Sequence, residues 1–317
     1  MVRADLDADA SALTRPEWLS AQRWYGANDR HLADVQLGDA APLPIAGSDL
    51  TAWLLVVDAS FAMGAPIRYL VLAVSDGSEP LREPRDGDGA WQALAAAIAD
   101  RRVLSASAGS FRCEAAPAVA ELLPQGASSV ADLGEHRLGV EQSNTSVQLG
   151  DALLLKLYRR LEAGENPELE VGAFLESVGC RVVPRIAGSL RYLASGGSAA
   201  AAMLQERVAA RFDAWQQIGE MLAGEDGGPE SATDAAREIG RVTASSTRVW
   251  RRDPRTSRSR CGRRLRPRSG PGATPPSASS TRRAMRWRER TGRPWIGWQE
   301  TSAAESRGCS ERLIKLG

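Results

Sequence analysis

Apolar residues come in three kinds of pattern along this chain, and each predicts a different element. From Thr51 to Asp58 (TAWLLVVD) and from Arg68 to Val74 (RYLVLAV) they run almost unbroken, flanked by turn residues, which predicts short strands. Gly64 and Pro66 lie in the loop between them, so the two should pair antiparallel, with Leu32–Leu37 as a further candidate strand. Trp91–Ala99 (WQALAAAIA) reads as a helix, Pro16–Leu19 begins a short helical segment, and Phe111–Cys113 starts another strand. Residues 1–12 are small, acidic and weakly patterned, which predicts a frayed start. This first part has the make-up of an α+β cap domain, residues 1–130.

Residues 125–135 form a Gly/Ser/Ala/Asp connection, and the stretch that organises the chain follows it, Arg137–Tyr158 (RLGVEQSNTSVQLGDALLLKLY). Leu138–Glu141 is one apolar run. A polar connection, Gln142-Ser143-Asn144-Thr145, leads to the alternating Ser146-Val147-Gln148-Leu149. Gly150-Asp151 is a two-residue turn signal, and Ala152–Leu157 is a strand with Lys156 near its end. Beyond it Asn166 can cap a helix, Pro167 suits its first position, and Glu168 and Glu170 favour the positive end of its dipole; Gly179 ends it. Val182–Ile186, Ser189–Leu193 and Ala199–Glu206 read as extended pieces. Asp213 opens a helix to about Ala223, and a last helix is expected over Ser231–Ala244, with Asp234 completing a capping box.

Composition narrows the function classes. With four widely spaced cysteines and two histidines, His31 and His136, no zinc spacing exists. No apolar run approaches the roughly 20 residues of a membrane span, so a cytoplasmic, reducing setting is expected, with no membrane partner. The net charge of +1 hides an asymmetry: residues 245–317 carry a net +14 and residues 1–244 a net −13.

The chemistry centres on Lys156. Lysine is otherwise confined to Lys315 in an arginine-rich chain, so Lys156 is either a solvated strand end or a placed cation. A hairpin with a small polar loop can lie over nucleotide phosphates. Ser143, Thr145 and Ser146 would then donate hydrogen bonds, Lys156 would neutralise phosphate oxygens, and an acid on the next helix would hold the lysine. Neither GxGxxG nor a Walker A motif is present, and an ordinary hairpin with a solvated lysine fits the same pattern. Near the start, Gln22-Arg23-Trp24-Tyr25-Gly26 sets an arginine beside two aromatics; it reads as an anchor packing one subdomain on another rather than as a ligand stack.

The run EQSNTSVQLGDALLLKLYRRLEAGENPELEV closely resembles the nucleotide-binding lobe of bacterial maltokinases, and QRWYG resembles the opening of their cap domain. Gln205-Glu206-Arg207-Val208 resembles their connection between lobes, and Phe212-Asp213-Ala214-Trp215 the following helix. The resemblance covers residues 14–244. It implies an α+β chain with an N-terminal cap (1–130), a protein-kinase-like nucleotide-binding lobe with an antiparallel sheet (131–208) and the helical start of a second lobe (209–244). The implied reaction is ATP-dependent phosphorylation of maltose to maltose 1-phosphate, for α-glucan synthesis; a related glucosamine or aminoglycoside-type kinase shares the plan. Carried over by residue, Gln142, Ser143, Asn144, Thr145 and Ser146 are the phosphate loop. Lys156 meets the α/β-phosphates with Glu170 as partner and Glu168 as the alternative, and Gln205, Glu206 and Val208 lie at the adenine edge.

The resemblance stops at Ala244. Motifs of the HGDxHxGQ and DFEGEP kind, which in that family supply the catalytic Asp and the Mg²⁺ ligands, do not occur, and no histidine follows His136. Residues 245–317 are instead an Arg/Ser/Pro-rich tail, expected to be disordered or out of frame, with nucleic-acid binding the lesser reading. If Ser245–Trp250 is coded AGC TCC ACG CGG GTC TGG after a G, moving the frame back one base gives Glu-Leu-His-Ala-Gly-Leu, a helical continuation of the family's kind. The chain is therefore expected to bind ATP without catalysing transfer.

Overall fold

The computed structural model describes residues 6, 8–139, 143–209, 213–225 and 227–251. Val140, Glu141, Gln142, Phe212 and residues 252–317 of the tail lie outside the described residues.

The apolar runs of the first segment become a three-stranded antiparallel sheet in the order β1-β2-β3: β1 Leu32–Pro44, β2 Thr51–Phe61 and β3 Ile67–Ser75. The unbroken runs have a plain cause, because the sheet is buried on both faces. Leu54, Val56, Leu70 and Leu72 face one core, while Leu55, Val57, Tyr69 and Val71 face another built with Leu13, Leu19, Trp24 and Tyr25. Strand β1 runs past the expected Leu37 through Pro42 and Pro44, which an edge strand tolerates. Helix α1 is Pro16–Ser20 and α2 is Ala90–Ala99, with Trp91, Leu94 and Ile98 fully buried in the first core.

The second sheet has seven antiparallel strands: β4 (Val103–Ser105), β5 (Gly109–Ala115), β6 (Glu135–Leu138), β7 (Asn144–Leu149), β8 (Leu153–Tyr158), β9 (Ile186–Ala194) and β10 (Gly197–Glu206). Its order is β4-β5-β9-β10-β8-β7-β6. Thus β5, from the first segment, pairs with β9 from Gly109↔Ala194 to Ala115↔Gly188. The first core also joins both sheets, with Leu54 and Trp91 in the same cluster as Val147, Leu155 and Leu190. The expected junction near residue 130 therefore interrupts neither the sheet nor the core. The chain is α+β throughout the described residues.

Helix α3 is Ala118–Leu122, α4 is Pro167–Ser177, α5 is Ala214–Ala223 and α6 is Gly228–Arg251. The α4 start is as its sequence predicts: Asn166 Oδ1 accepts from the backbone N–H of Glu168 and Leu169, Pro167 stands first, and Gly179 follows with φ +71°. Helix α5 is capped by Asp213 and ended by left-handed Gly224. Three expectations need correction. Val182–Ile186 and Ser189–Leu193 are not two pieces, because a single strand, β9, begins at Ile186. Ser231 lies inside α6, its hydroxyl bonded back to the Gly227 carbonyl, so it caps nothing. Helix α6 also continues through residues 245–251 without a break at Ala244.

Two carboxylates bind the layers together. Asp39 is buried and accepts from Tyr192 Oη (2.8 Å) and the Ala108 N–H (2.9 Å), joining β1 to the seven-stranded sheet. Glu135 accepts from the N–H groups of Gly87, Gly89, Trp91 and Gln92 at 2.8–3.2 Å and so caps α2 from strand β6.

Candidate functional site

Strands β6, β7 and β8, helix α4, then β9 and β10 follow one another in sequence, and their lateral order is first-second-third-fifth-fourth. Lys156 stands on the third strand. Register places it opposite Ser146 on one side and Met203 on the other, so these three side chains share one face. Asn144, Tyr158, Gln148, Leu154 and Gln205 belong to the same face, whereas Thr145, Val147, Leu155 and Leu157 point to the opposite one.

Helix α4 brings an acid to the lysine. Lys156 Nζ lies 3.0 Å from Glu168 Oε1, and Tyr158 Oη donates to Glu168 Oε2 at 3.1 Å. Both carboxylate oxygens are engaged, and the lysine side chain is only 19% exposed. The expected partner, Glu170, does not make this pair. Two residues along a helix are about 200° apart, so only one of the two acids can face the strand; Glu168 does.

The candidate phosphate-loop residues divide. Ser143 is exposed, and Asn144 is half-buried at the start of β7. Ser146 Oγ is buried beside Lys156 and has no hydrogen-bond partner. Thr145 was expected to donate to phosphate, but its side chain lies on the face away from Lys156. There its Oγ1 accepts from Arg159 Nε at 2.7 Å. Gln142 lies outside the described residues.

At the expected adenine edge, Gln205 is half-buried opposite Leu154, and Val208 is exposed beyond the strand end. Glu206 is occupied internally. Its N–H donates to the Arg185 carbonyl (2.8 Å), and its Oε2 accepts from the Arg185 N–H (3.1 Å). The next N–H, of Arg207, donates to the Ala152 carbonyl. Residues 205–207 are thus fixed from both sides.

Behind the hairpin lies a buried charge that sequence reasoning passed over. Arg159 is fully buried. Nη2 donates to Glu83 (2.8 Å) and Nε to Thr145, while the guanidinium carbon sits 4.6 Å from the Trp24 ring centre. Burial draws its pKa down to about 10 against the pull of Glu83, so it stays charged at neutral pH. Glu83 also accepts from Arg137 on β6, and Arg23 Nη1 donates to the Gly139 carbonyl at 2.8 Å. The QRWYG segment is therefore an anchor: Arg23 holds the incoming leg of the hairpin, and Trp24, through Arg159, the outgoing one. Alternation carried a signal for this, since Leu155, Leu157 and Arg159 share the inward parity of β8 and Arg160 does not.

Among the described residues no helix is long and apolar enough to cross a membrane, and no group of three or more His, Cys, Asp or Glu side chains can hold a metal ion. No protein-family model matches the chain. Among solved structures it is similar to glucosamine kinase in one crystal form at 23% identity and TM-score 0.46, covering 78% of this chain and 51% of that one. It is also similar to glucosamine kinase in complex with glucosamine, ADP and inorganic phosphate, at 22% identity and TM-score 0.43, covering 73% and 50%. The chain spans about half the length of these structures.

Proposed function

We propose that this chain carries the nucleotide-binding half of an ATP-dependent sugar kinase of the maltokinase kind, and that as written it binds ATP without transferring phosphate. The observation that carries this is the 3.0 Å pair of Lys156 on the third strand with Glu168 on the next helix. A lysine so placed, held by an acid on the following helix, is how kinase-like lobes fix the α/β-phosphates. Lys156 supplies the charge, Glu168 and Tyr158 fix its position, and Ser146 Oγ supplies a donor on the same face. Segment 205–208, with Gln205, Glu206 and Val208, forms the wall for the base.

Catalysis needs a base for the acceptor hydroxyl, and the motifs that would bring one do not occur in this sequence. The Mg²⁺ that accompanies ATP in such kinases has no fitting set of His, Cys, Asp or Glu donors among the described residues. The acceptor is maltose by resemblance, with glucosamine as the alternative.

Calorimetric titration with an ATP analogue tests the binding half: wild type should bind, and Lys156→Ala should lose at least tenfold in affinity, about 1.4 kcal/mol. Equal affinity in the two proteins sinks the proposal. A coupled assay with ATP, Mg²⁺ and maltose or glucosamine tests the rest, because turnover at roughly 1–100 s⁻¹ with either sugar contradicts the catalytic deficit.

A further inference from the structure

Helix α4 is fastened to the sheet at three points, and only the first belongs to the site described above. At its N-terminal end Glu168 meets Lys156 and Tyr158. In its middle Gly172 lets the helix lie close on β9, where a Cβ would stand 2.9 Å from Ile186 Cδ1. In its last turn Glu176 has both oxygens engaged, Oε1 by Arg185 Nε (3.1 Å) and Oε2 by the Ile186 N–H (2.8 Å). Arg185 is the common member. Its Nη1 also donates to Glu121 on α3 (2.9 Å), and its backbone makes the two-way link with Glu206 at the end of β10.

We infer that Arg185 is a positioning residue: it locks the helix carrying Glu168 to the strand end that forms the wall for the base, and so keeps the Lys156–Glu168 pair assembled before nucleotide arrives. This rests on the nucleotide-binding reading. Helix α4 has eleven residues, and among the described residues the polar hold on its far end runs through Glu176 alone, by one bond from Arg185 Nε and one from the Ile186 N–H, so loosening either lets the helix pivot about Gly172. Any such pivot moves Glu168 relative to the strand. The main-chain link to Glu206 transmits the same constraint to segment 205–208. The Glu121 arm is dispensable, because that carboxylate is 63% exposed and reaches neither α4 nor β10.

Two readouts on the full chain test this. Without nucleotide, hydrogen exchange in the peptide covering α4 should quicken in Arg185→Ala and Glu176→Gln and stay unchanged in Glu121→Gln. Gln at 176 keeps the size but turns an amide NH₂ toward one of its two donors. Affinity for the ATP analogue should fall between about twofold and thirtyfold in the first two variants. In a Glu168→Gln background, Arg185→Ala should weaken binding no further. A merely structural role would add the same loss in both backgrounds. Unchanged exchange in α4, wild-type affinity in both hub variants, or full additivity with Glu168→Gln each overturn the inference. If Lys156→Ala binds as well as wild type, the nucleotide reading itself fails, and the exchange arm still decides whether Arg185 seats the helix. Should Arg185→Ala not fold, Glu176→Gln carries both readouts.

Discussion

Replacing Glu135 by Ala removes the N-terminal cap of a helix 36 to 45 residues away in the chain. Helix α2 has no local side-chain cap: its N-cap is Gly89, in the left-handed conformation at φ +77°. The carboxylate of Glu135 accepts from four backbone N–H groups, with the Gly89, Trp91 and Gln92 bonds partly buried and the Gly87 bond exposed. Water can replace the exposed bond. The three partly buried donors lose their acceptor, and the positive end of the helix loses its charge. A lost cap costs about 0.5–2 kcal/mol, each stranded buried donor about 1–3 kcal/mol when fully sealed, and the charge–dipole contact about 0.3–1 kcal/mol. With partial exposure discounting the donors, the expected loss is about 3 kcal/mol. For a folded unit of this size that is a fall in Tm of about 6–12 °C. Urea unfolding followed by tryptophan fluorescence reads it directly, because Trp91 sits in the first turn of the helix and is fully buried. Glu135→Gln should lose nearly as much, having one acceptor oxygen in place of two. Exposed Glu114→Ala is the control, within about 0.5 kcal/mol of wild type. A loss below about 0.5 kcal/mol in Glu135→Ala would refute the assignment of Glu135 as the cap.

Arg159→Ala strands Thr145 and half of Glu83 in the interior and should cost about 3–5 kcal/mol in the same urea assay. Arg159→Lys should not restore it, since an ammonium cannot span Thr145 and Glu83 as the guanidinium fork does; full recovery with Lys would contradict this geometry. Asp88 has its pKa held below the usual carboxylate range, first by the hydrogen bond from Arg82. A depressed folded pKa gives stability that is present above the unfolded value of about 3.9 and lost as pH falls through the folded value. Asp88→Asn should therefore narrow the gap between urea midpoints at neutral and acid pH; an unchanged gap counts against the Arg82 pairing.

Much of this architecture is legible from residues alone, and where it is not the reasons are physical. Asn166-Pro167 and Asp213 marked their helix starts because capping is local chemistry. Ser231 misled because Gly227 and Gly228 let α6 begin earlier, turning a capping signature into an interior residue. The prolines at 42 and 44 hid half of β1, since a sequence does not show which strand will lie at an edge. In the site, Lys156 stood out by its rarity. Choosing between Glu168 and Glu170 needed the rotation of α4 about its own axis, which Gly172 and Glu176 set through contacts with β9. Arg159 and Glu83 are 76 residues apart, and only the packing of two sheets on a shared core brings them together.

The place of β4 and β5 among the seven strands of the second sheet bears on what can be cut from this protein. With them in place the outermost strands are β4 and β6, three and four residues long. Short borders offer little backbone for another chain to pair with. Removing the first 130 residues would leave β9 outermost, nine residues including Leu190 and Leu193, with its open ladder and the apolar face over the lost core both uncovered. A lobe excised at residue 131 should therefore assemble edge to edge instead of staying monomeric. In the whole chain the N-terminal segment covers that edge through β5 and also supports the hairpin through Arg23.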